Sequence, residues 1–141
     1  MTREIKFRGK DFLGRWHYGY LHLATGSSSL MIQVDSFDSF GVLPETVGQF
    51  TGLLDKNGTE IYEGDVIEIK EIGGYGCKRK GVVEYDVNEC AFVVRVLRPS
   101  WAGTVRLSTK VQICADMNCT HEYINQYTVL GNIHDMEGGA E

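Results

Sequence analysis

The chain has 141 residues, of which 43% are hydrophobic, 11% aromatic and 23% charged, a composition that is typical of one folded domain and excludes a disordered chain. A net charge of −5 disfavours binding of the whole molecule to a phosphate backbone. No run approaches the roughly eighteen apolar residues of a membrane span, and residues 1–6 are not followed by the apolar segment of a signal peptide, so we expect a cytoplasmic protein without a membrane partner.

Short strands separated by turns dominate the N-terminal region. The alternation of apolar and basic residues over 5–8 predicts a half-buried strand, and residues 10–14 predict a turn. The next strand is expected over 15–23, with both faces largely covered and with Trp16, Tyr18, Tyr20 and His22 on one of them. A loop over 24–29 and a strand over 30–34 follow, and the segment 35–40 is expected to be irregular.

The most regular stretch is VGQFTGLLDKNGTEIYEGDVIEI, residues 47–69. Asn57-Gly58 follows Asp55 and Lys56 between two strand-like runs, and Asn-Gly is the pair favoured in a type I′ hairpin turn, which needs positive φ at both central residues. Gly64 and Asp65 predict a second bend, because glycine permits the reversal and the aspartate can bond to nearby backbone. The stretch therefore predicts a hairpin that leads into a further strand.

A strand meander is expected after this hairpin. Residues 66–69 should pair with 81–85, residues 91–97 should add a third strand, and 104–111 could pair again. Residues 112–126 have no clean period and could form a short helix, and we expect a closing strand over 127–130 and a turn at 131–132. Together these patterns predict a mainly β protein with little helix, in which an N-terminal β lobe (1–46) packs on a small SH3-like, partly open barrel (47–136), with a flexible tail (137–141).

Several of these segments resemble the YopX protein family, small proteins encoded largely by bacteriophages and prophages. The matching pieces are REIKFRGKD (3–11), VGQFTGLLDKNGTEIYEGDVI (47–67), GVVEYD (81–86) and YTVLGNI (127–133). The resemblance implies a mainly β fold and a phage or prophage origin, without an established activity or catalytic residues. The insert over 98–126 and the tail after Ile133 depart from the family pattern.

Metal and cofactor sites have little support in the sequence. Cys114 and Cys119 are followed by His121, but the spacing lacks a second ligand pair, and the four cysteines are expected to be free thiols. Five carboxylates crowd the central segment, where they could hold a divalent ion or act as acid and base: Asp55, Glu60, Glu63, Asp65 and Glu68. Turn positions for Asp55 and Asp65 and polar strand positions for Glu60 and Glu68 account for them better, so we expect no cofactor.

Nucleophilic catalysis would need a cysteine or serine beside a histidine. The candidates are Cys114 or Cys119 with His121, and one of the serines 27–29 with His17 or His22. Nearness in sequence does not make a triad, so we expect a protein that is not an enzyme.

A nucleic-acid site is the alternative with the clearest physical basis. Residues 1–15 carry five basic and two acidic side chains, or 5 − 2 = +3, which leaves −8 for the rest of the chain. The basic side chains could neutralise phosphates while aromatic side chains on one strand face stack on bases. The residues concerned are Lys6, Arg8, Arg15, Trp16, Tyr18 and Tyr20.

The interpretation that needs least from the sequence is binding to protein. Small β proteins present strand edges that can recruit another chain or a second copy. We therefore expect a phage-type accessory protein that binds a protein partner or itself, as a homo-oligomer of undetermined order, with nucleic-acid binding as the alternative.

Overall fold

The fold is known from a computed structural model that describes residues 4–72, 78–96, 104–106, 110–111 and 123–135. Strand makes up 59% of it and helix 6%, so the expectation of a mainly β protein with little helix is confirmed. Two compact units are present, Met1–Leu53 with Glu60–Tyr62 and Leu54–Thr59 with Glu63–Glu141. No helix within the described ranges is long and apolar enough to cross a membrane.

The first unit is built on an antiparallel sheet with the order β4-β3-β2-β1-β5-β6. Its strands are Phe7–Lys10 (β1), Trp16–Leu23 (β2), Leu30–Gln33 (β3), Ser39–Gly41 (β4), Gly48–Leu54 (β5) and Glu60–Tyr62 (β6), with a 3-10 turn at Pro44–Thr46. This sheet includes β5 and β6, and the expected division into a lobe over 1–46 and a barrel over 47–136 stays a prediction. The strand expected from residue 5 begins at Phe7, and Ile5 is 52% exposed.

Strand β4 begins in the segment 35–40 that was expected to be irregular, and that expectation is wrong for Ser39 and Phe40 but confirmed for residues 35–38. Phe40 is paired with Ile32 across β3 and β4, and its ring stacks on His17 with 4.0 Å between centroids. Three residues are too few to show a strand period, which is why the pattern did not reveal β4. The buried core of the unit is Ile32, Val42, Phe50, Ile61 and Tyr62.

The second unit contains an antiparallel sheet with the order β10-β9-β8-β7-β12-β11. Its strands are Asp65–Ile72 (β7), Lys78–Asp86 (β8), Ala91–Val96 (β9), Thr104–Arg106 (β10), Lys110–Val111 (β11) and Tyr123–Asn132 (β12). The expected meander of β7, β8 and β9 is confirmed by the pairing of Val66 with Val82 and of Val83 with Val94. The SH3-like closure of this unit stays a prediction.

Strand β12 corrects two expectations about the C-terminal region. It begins at Tyr123, so residues 123–126 are strand and not helix, while residues 112–122 lie outside the described residues. Gly131 and Asn132 do not form a turn after the strand. They belong to β12, where a bulge shifts the register between Val129, opposite Ile67, and Gly131, opposite Val66.

The loop over Asp55–Thr59 is a hairpin, but its turn is not of type I′. Asp55 N–H donates to the Thr59 carbonyl at 2.8 Å and Gly58 N–H donates to the Asp55 carbonyl at 3.1 Å. Gly58 has φ +83°, whereas Cys90 is the one described non-glycine residue with positive φ, so Asn57 does not adopt the conformation that type I′ requires. The geometry is that of a type I turn closed by a left-handed glycine.

The side chain of Asp55 explains this turn. Its Oδ1 accepts the N–H groups of Asn57 at 2.8 Å and Thr59 at 2.9 Å. Its Oδ2 accepts the N–H of Val129 in β12 at 3.0 Å, and Lys56 N–H donates to the Tyr127 carbonyl at 2.9 Å. The turn therefore belongs to the second unit, where it is hydrogen-bonded to the backbone of β12.

The second predicted bend is confirmed at Gly64, whose φ is +87°. Gly64 N–H donates to the Val83 carbonyl at 2.8 Å, and its own carbonyl accepts Ile133 N–H at 2.9 Å. Asp65 is the first residue of β7 and is only 1% exposed. The bend thus joins the start of β7 to the middle of β8 and to the residue that follows β12.

Candidate binding surface

A layer of basic and aromatic side chains lies on one face of the first sheet. The register places Arg8 opposite Tyr18 and Lys10 opposite Trp16. The Arg8 guanidinium lies 4.9 Å from the ring centroids of both Trp16 and Tyr62, and the Lys10 ammonium lies 5.6 Å from Trp16. The register therefore places cations and aromatic rings on a shared face, as the nucleic-acid interpretation requires.

The cations of this layer are engaged within the unit. Arg8 is only 6% exposed. The Lys6 ammonium forms ion pairs with Glu60 and with Glu4, and the hydrogen bond to Glu60, against the opposing effect of burial, raises the pKa of Lys6. Burial and the Glu60 charge raise the pKa of Tyr62 to about 12, so its phenol stays neutral. Lys6 is therefore paired with carboxylates, while Arg8 and Lys10 lie over aromatic rings.

Two tyrosines of β2 are accessible to a partner. Tyr18 is 48% exposed and its ring meets Tyr62 edge-on at 5.6 Å, while Tyr20 is 69% exposed. The expectation that both faces of this strand are largely covered is wrong for Tyr18, Tyr20 and Leu23, which are all exposed. Of the residues assigned to nucleic acid in the sequence, these two tyrosines present the most accessible rings.

The turn over Asp11–Arg15 joins β1 to β2 and is fixed by one carboxylate. Asp11 Oδ1 accepts the N–H groups of Leu13 and Arg15, both at 2.9 Å. The Asp11 N–H donates to the Arg15 carbonyl at 2.9 Å, and Gly14, with φ +82°, donates its N–H to the Asp11 carbonyl at 3.1 Å. The predicted turn over residues 10–14 is confirmed.

The second oxygen of Asp11 binds two side chains. Oδ2 lies 2.9 Å from His17 Nε2 and 2.9 Å from Arg15 Nε. The hydrogen bond with His17, followed by the bonds from Arg15 and Leu13, holds the pKa of Asp11 well below its usual range, although burial opposes this shift. Asp11 is 7% exposed, so it is a buried carboxylate that stays ionised.

The lowered pKa of Asp11 predicts acid-sensitive stability. An aspartate has a pKa of about 3.9 in an unfolded chain. Stabilisation by Asp11 is therefore fully present above that pH and is lost as pH falls through the lower folded-state pKa. We expect the melting temperature of the wild type to fall between about pH 4 and pH 2, and to fall less steeply in Asp11→Asn. Thermal melts followed by circular dichroism across this pH range test the prediction. The same dependence of melting temperature on pH in the wild type and in Asp11→Asn would contradict it.

Exposed apolar side chains gather at one end of the first sheet. Strands β1 and β3 are both antiparallel to β2, so the loops that follow them leave the sheet at the same end. Phe12 is 81% exposed, Leu13 78% and Phe37 95%. We call these three side chains the apolar loop end. The loop at the opposite end, which joins β2 to β3, is ATGSSS and carries no large apolar side chain.

Phe37 also sits on a turn that an aspartate holds. Asp35 Oδ1 accepts the N–H groups of Phe37 and Asp38, each at 2.8 Å, and these bonds lower the pKa of Asp35. The Val34 N–H donates to the Asp38 carbonyl at 3.0 Å. The apolar loop end is therefore presented on two hydrogen-bonded turns.

The residues suggested for catalysis or metal binding are dispersed or already engaged. No group of three or more His, Cys, Asp or Glu side chains within the described ranges is arranged to hold a metal ion. Cys114, Cys119 and His121 lie outside those ranges. Ser27 donates its hydroxyl to Ser29 at 2.9 Å, and His22 Nε2 lies 3.2 Å from the Ser39 hydroxyl, a contact that sequence reasoning missed.

Sequence reasoning also missed the apolar loop end, although a signal for it is present. Residues 11–15 read DFLGR and residues 55–59 read DKNGT, so both turns have aspartate first and glycine fourth. The two residues between are apolar in the first turn and polar in the second. In a turn defined by its aspartate and glycine, the two residues between them lie at the tip and point away from the core. Large apolar residues at those two positions were therefore the sequence signal for an exposed apolar surface.

Comparison with known proteins identifies the family. No curated protein sequence matches the chain. The family model described as YopX protein matches residues 19–137, which include the part of β2 from Gly19 onward, the hairpin over Asp55–Thr59 and the whole of β12. Because the match covers most of the length, this chain belongs to the YopX protein family.

Proposed function

We propose that this protein is a phage- or prophage-encoded accessory protein that acts in the cytoplasm of its bacterial host, without catalysis, by binding another protein or a second copy of itself. Membership of the YopX family supports the class of protein. The apolar loop end supports the mode of action. The observation that carries the proposal is the exposure of Phe12 and Leu13, 81% and 78%, on a turn locked by Asp11.

Energetics favour a docking role for this turn. Burying a Phe or Leu side chain in an interface would contribute roughly 1.5–3 kcal/mol each. A turn that is already fixed by hydrogen bonds loses little conformational entropy when it binds. Isolated exposed apolar residues are ordinary, but large ones gathered at one end of a sheet are typical of interaction surfaces.

The non-enzymatic part of the proposal rests on how the titratable groups of the first unit are used. Asp11 accepts its hydrogen bonds from the turn and from the side chains of Arg15 and His17. Lys6 is ion-paired with Glu60. These contacts hold the turn and the sheet together, which accounts for the groups without a reaction.

Replacing the apolar tip is the direct test of the proposed function. The double variant Phe12→Lys, Leu13→Asn gives the first turn the residues that Lys56 and Asn57 supply in the second. We expect its stability to stay within about 0.5 kcal/mol of the wild type, because both side chains are exposed. We expect recovery of protein partners from infected or lysogenic cells to fall by about tenfold or more, equivalent to about 1.4 kcal/mol.

A matched control is Val87→Lys, since Val87 is 74% exposed on a turn that Asp86 holds in the second unit. Quantitative affinity purification followed by mass spectrometry compares the three proteins, and light scattering measures self-association. Equal recovery and equal oligomeric mass for the wild type and the tip variant would overturn the proposed docking role.

The nucleic-acid alternative keeps one specific observation in its favour, the register that sets Arg8 opposite Tyr18 and Lys10 opposite Trp16. We expect no binding to single-stranded DNA or RNA in a low-salt polarisation titration, because Lys6 is paired with Glu60 and Arg8 is only 6% exposed. Binding that weakens with salt, by a slope of about −0.7 per neutralised phosphate, would support this alternative instead. In that case Tyr20→Ala should weaken it by roughly 1–3 kcal/mol.

A further inference from the structure

Two turns in this chain share one geometry. In each, an aspartate N–H donates to the carbonyl four residues later, at 2.9 Å for Asp11 and 2.8 Å for Asp55. In each, Oδ1 of that aspartate accepts two backbone N–H groups, and the glycine has φ near +80°, +82° at Gly14 and +83° at Gly58. The two turns are therefore interchangeable as backbone structures.

The Asp55 turn shows what such a turn can bind. It lies along β12, to which it donates the Lys56 N–H and from which Asp55 Oδ2 accepts the Val129 N–H. The carbonyl that accepts from Lys56 belongs to Tyr127, two residues before Val129. A strand edge presents its carbonyl and N–H groups at this spacing, so the turn is matched to an extended backbone.

The Asp11 turn carries the same donor and acceptor. Phe12 N–H occupies the position of Lys56 N–H, and the hydrogen bonds of the described residues include none from it. Asp11 Oδ2 is held by His17 Nε2 and by Arg15 Nε. The Arg15 side chain is 63% exposed, and an ion pair at that exposure contributes little, so its place on Oδ2 is readily taken by another donor.

We propose that the Asp11–Arg15 turn binds an exposed β-strand edge of a partner protein, as the Asp55–Thr59 turn binds β12. Phe12 N–H donates to a carbonyl of that strand, and Asp11 Oδ2 accepts a strand N–H in place of Arg15 Nε. Phe12 and Leu13 then pack against apolar side chains of the same strand. This inference rests on the proposed function and specifies the kind of partner that the turn accepts.

The test uses the one strand that this turn geometry is seen to bind. A synthetic, end-capped peptide with the sequence of residues 123–132, YINQYTVLGN, is titrated into the full, isotope-labelled protein, and amide shifts are followed by NMR. We expect a saturable downfield shift of the Phe12 amide. Methylation of the peptide nitrogen that corresponds to Val129 should weaken binding about tenfold, because it removes the donated N–H. Arg15→Ala should tighten binding, because it clears Asp11 Oδ2.

Three results would overturn the strand-edge inference. They are unchanged amides over residues 11–15 at millimolar peptide, equal binding of the methylated peptide, and shifts confined to residues 55–59. Failure here is distinct from failure of the proposed function. If the tip variant loses its cellular partners while the peptide is not bound, the docking role stands and the recognition of a strand edge falls.

Discussion

Replacing Gly19 by alanine is expected to lower the free energy of unfolding by about 3 kcal/mol, because the added Cβ would overlap backbone that cannot rotate away. A Cβ at Gly19 collides with the Gln33 carbonyl oxygen and lies 2.9 Å from the Gln33 carbonyl carbon and 3.2 Å from the Val34 Cα. Gly19 lies in β2 directly before the residue that pairs with β3. Relief of the overlap therefore requires β2 and β3 to separate.

Gly41→Ala is the matched control, because Gly41 belongs to the same sheet and a Cβ there meets nothing within 4 Å. We expect its stability to stay within about 0.5 kcal/mol of the wild type. Thermal melts should give Gly19→Ala a melting temperature about 10 °C below that of the wild type, because a chain of this size loses roughly 3–4 °C per kcal/mol. Equal melting temperatures for the two variants would show that β2 and β3 do not approach as closely as described.

For the hairpin over Asp55–Thr59, the local sequence predicted the position of the turn but not its type. Asn57-Gly58 located the reversal correctly, because few other dipeptides favour one so strongly. The turn type was wrong because the Asp55 carboxylate supplies acceptors to Asn57 and Thr59, so that only Gly58 needs positive φ. Local sequence finds a turn, whereas a side chain that bonds within it selects the type.

Local sequence patterns could not predict the strand register within the second sheet. Gly131 looked like the end of a strand, yet it lies inside β12, where a bulge opposite β7 absorbs it. The partner residues, Ile67 and Val66, are more than sixty positions earlier in the chain. A glycine at a turn and a glycine at a bulge have the same local signature, and only the distant strand distinguishes them.

For the candidate site, too, local sequence predicted some features, and contacts with distant strands determined the others. Period-two alternation correctly placed Trp16 and Tyr18 on one face of β2, whereas the register that sets Arg8 opposite Tyr18 comes from the structure. The groups that engage this layer, Glu60 and Tyr62, come from β6, about fifty residues away, so the pairing of Lys6 with Glu60 and the burial of Arg8 against Tyr62 could not be anticipated. Distant strands therefore decided which cations are available to a ligand.

Replacing Asp55 by alanine is the second large effect, expected at about 3 kcal/mol. The carboxylate is 8% exposed and accepts the N–H groups of Asn57, Thr59 and Val129. Hydrogen bonds to a charged group contribute roughly 1.5–3 kcal/mol each, but bonds to one group are not additive. We therefore expect the loss of unfolding free energy to lie near the upper end of the range for a single hydrogen bond. Denaturant unfolding measures this loss.

Asp86→Ala is the control for Asp55→Ala, because Asp86 accepts the N–H groups of Asn88 and Glu89 in an exposed turn of the same unit. Loss of those exposed bonds should cost less than about 1 kcal/mol. Burial would raise the pKa of Asp55, but the N–H donors outweigh it and lower the pKa. Wild-type stabilisation by Asp55 is thus present above about pH 4 and lost as pH falls through the folded-state pKa. The gap between wild type and Asp55→Ala should narrow in acid, and a gap independent of pH would show that the ionised carboxylate does not hold the turn on β12.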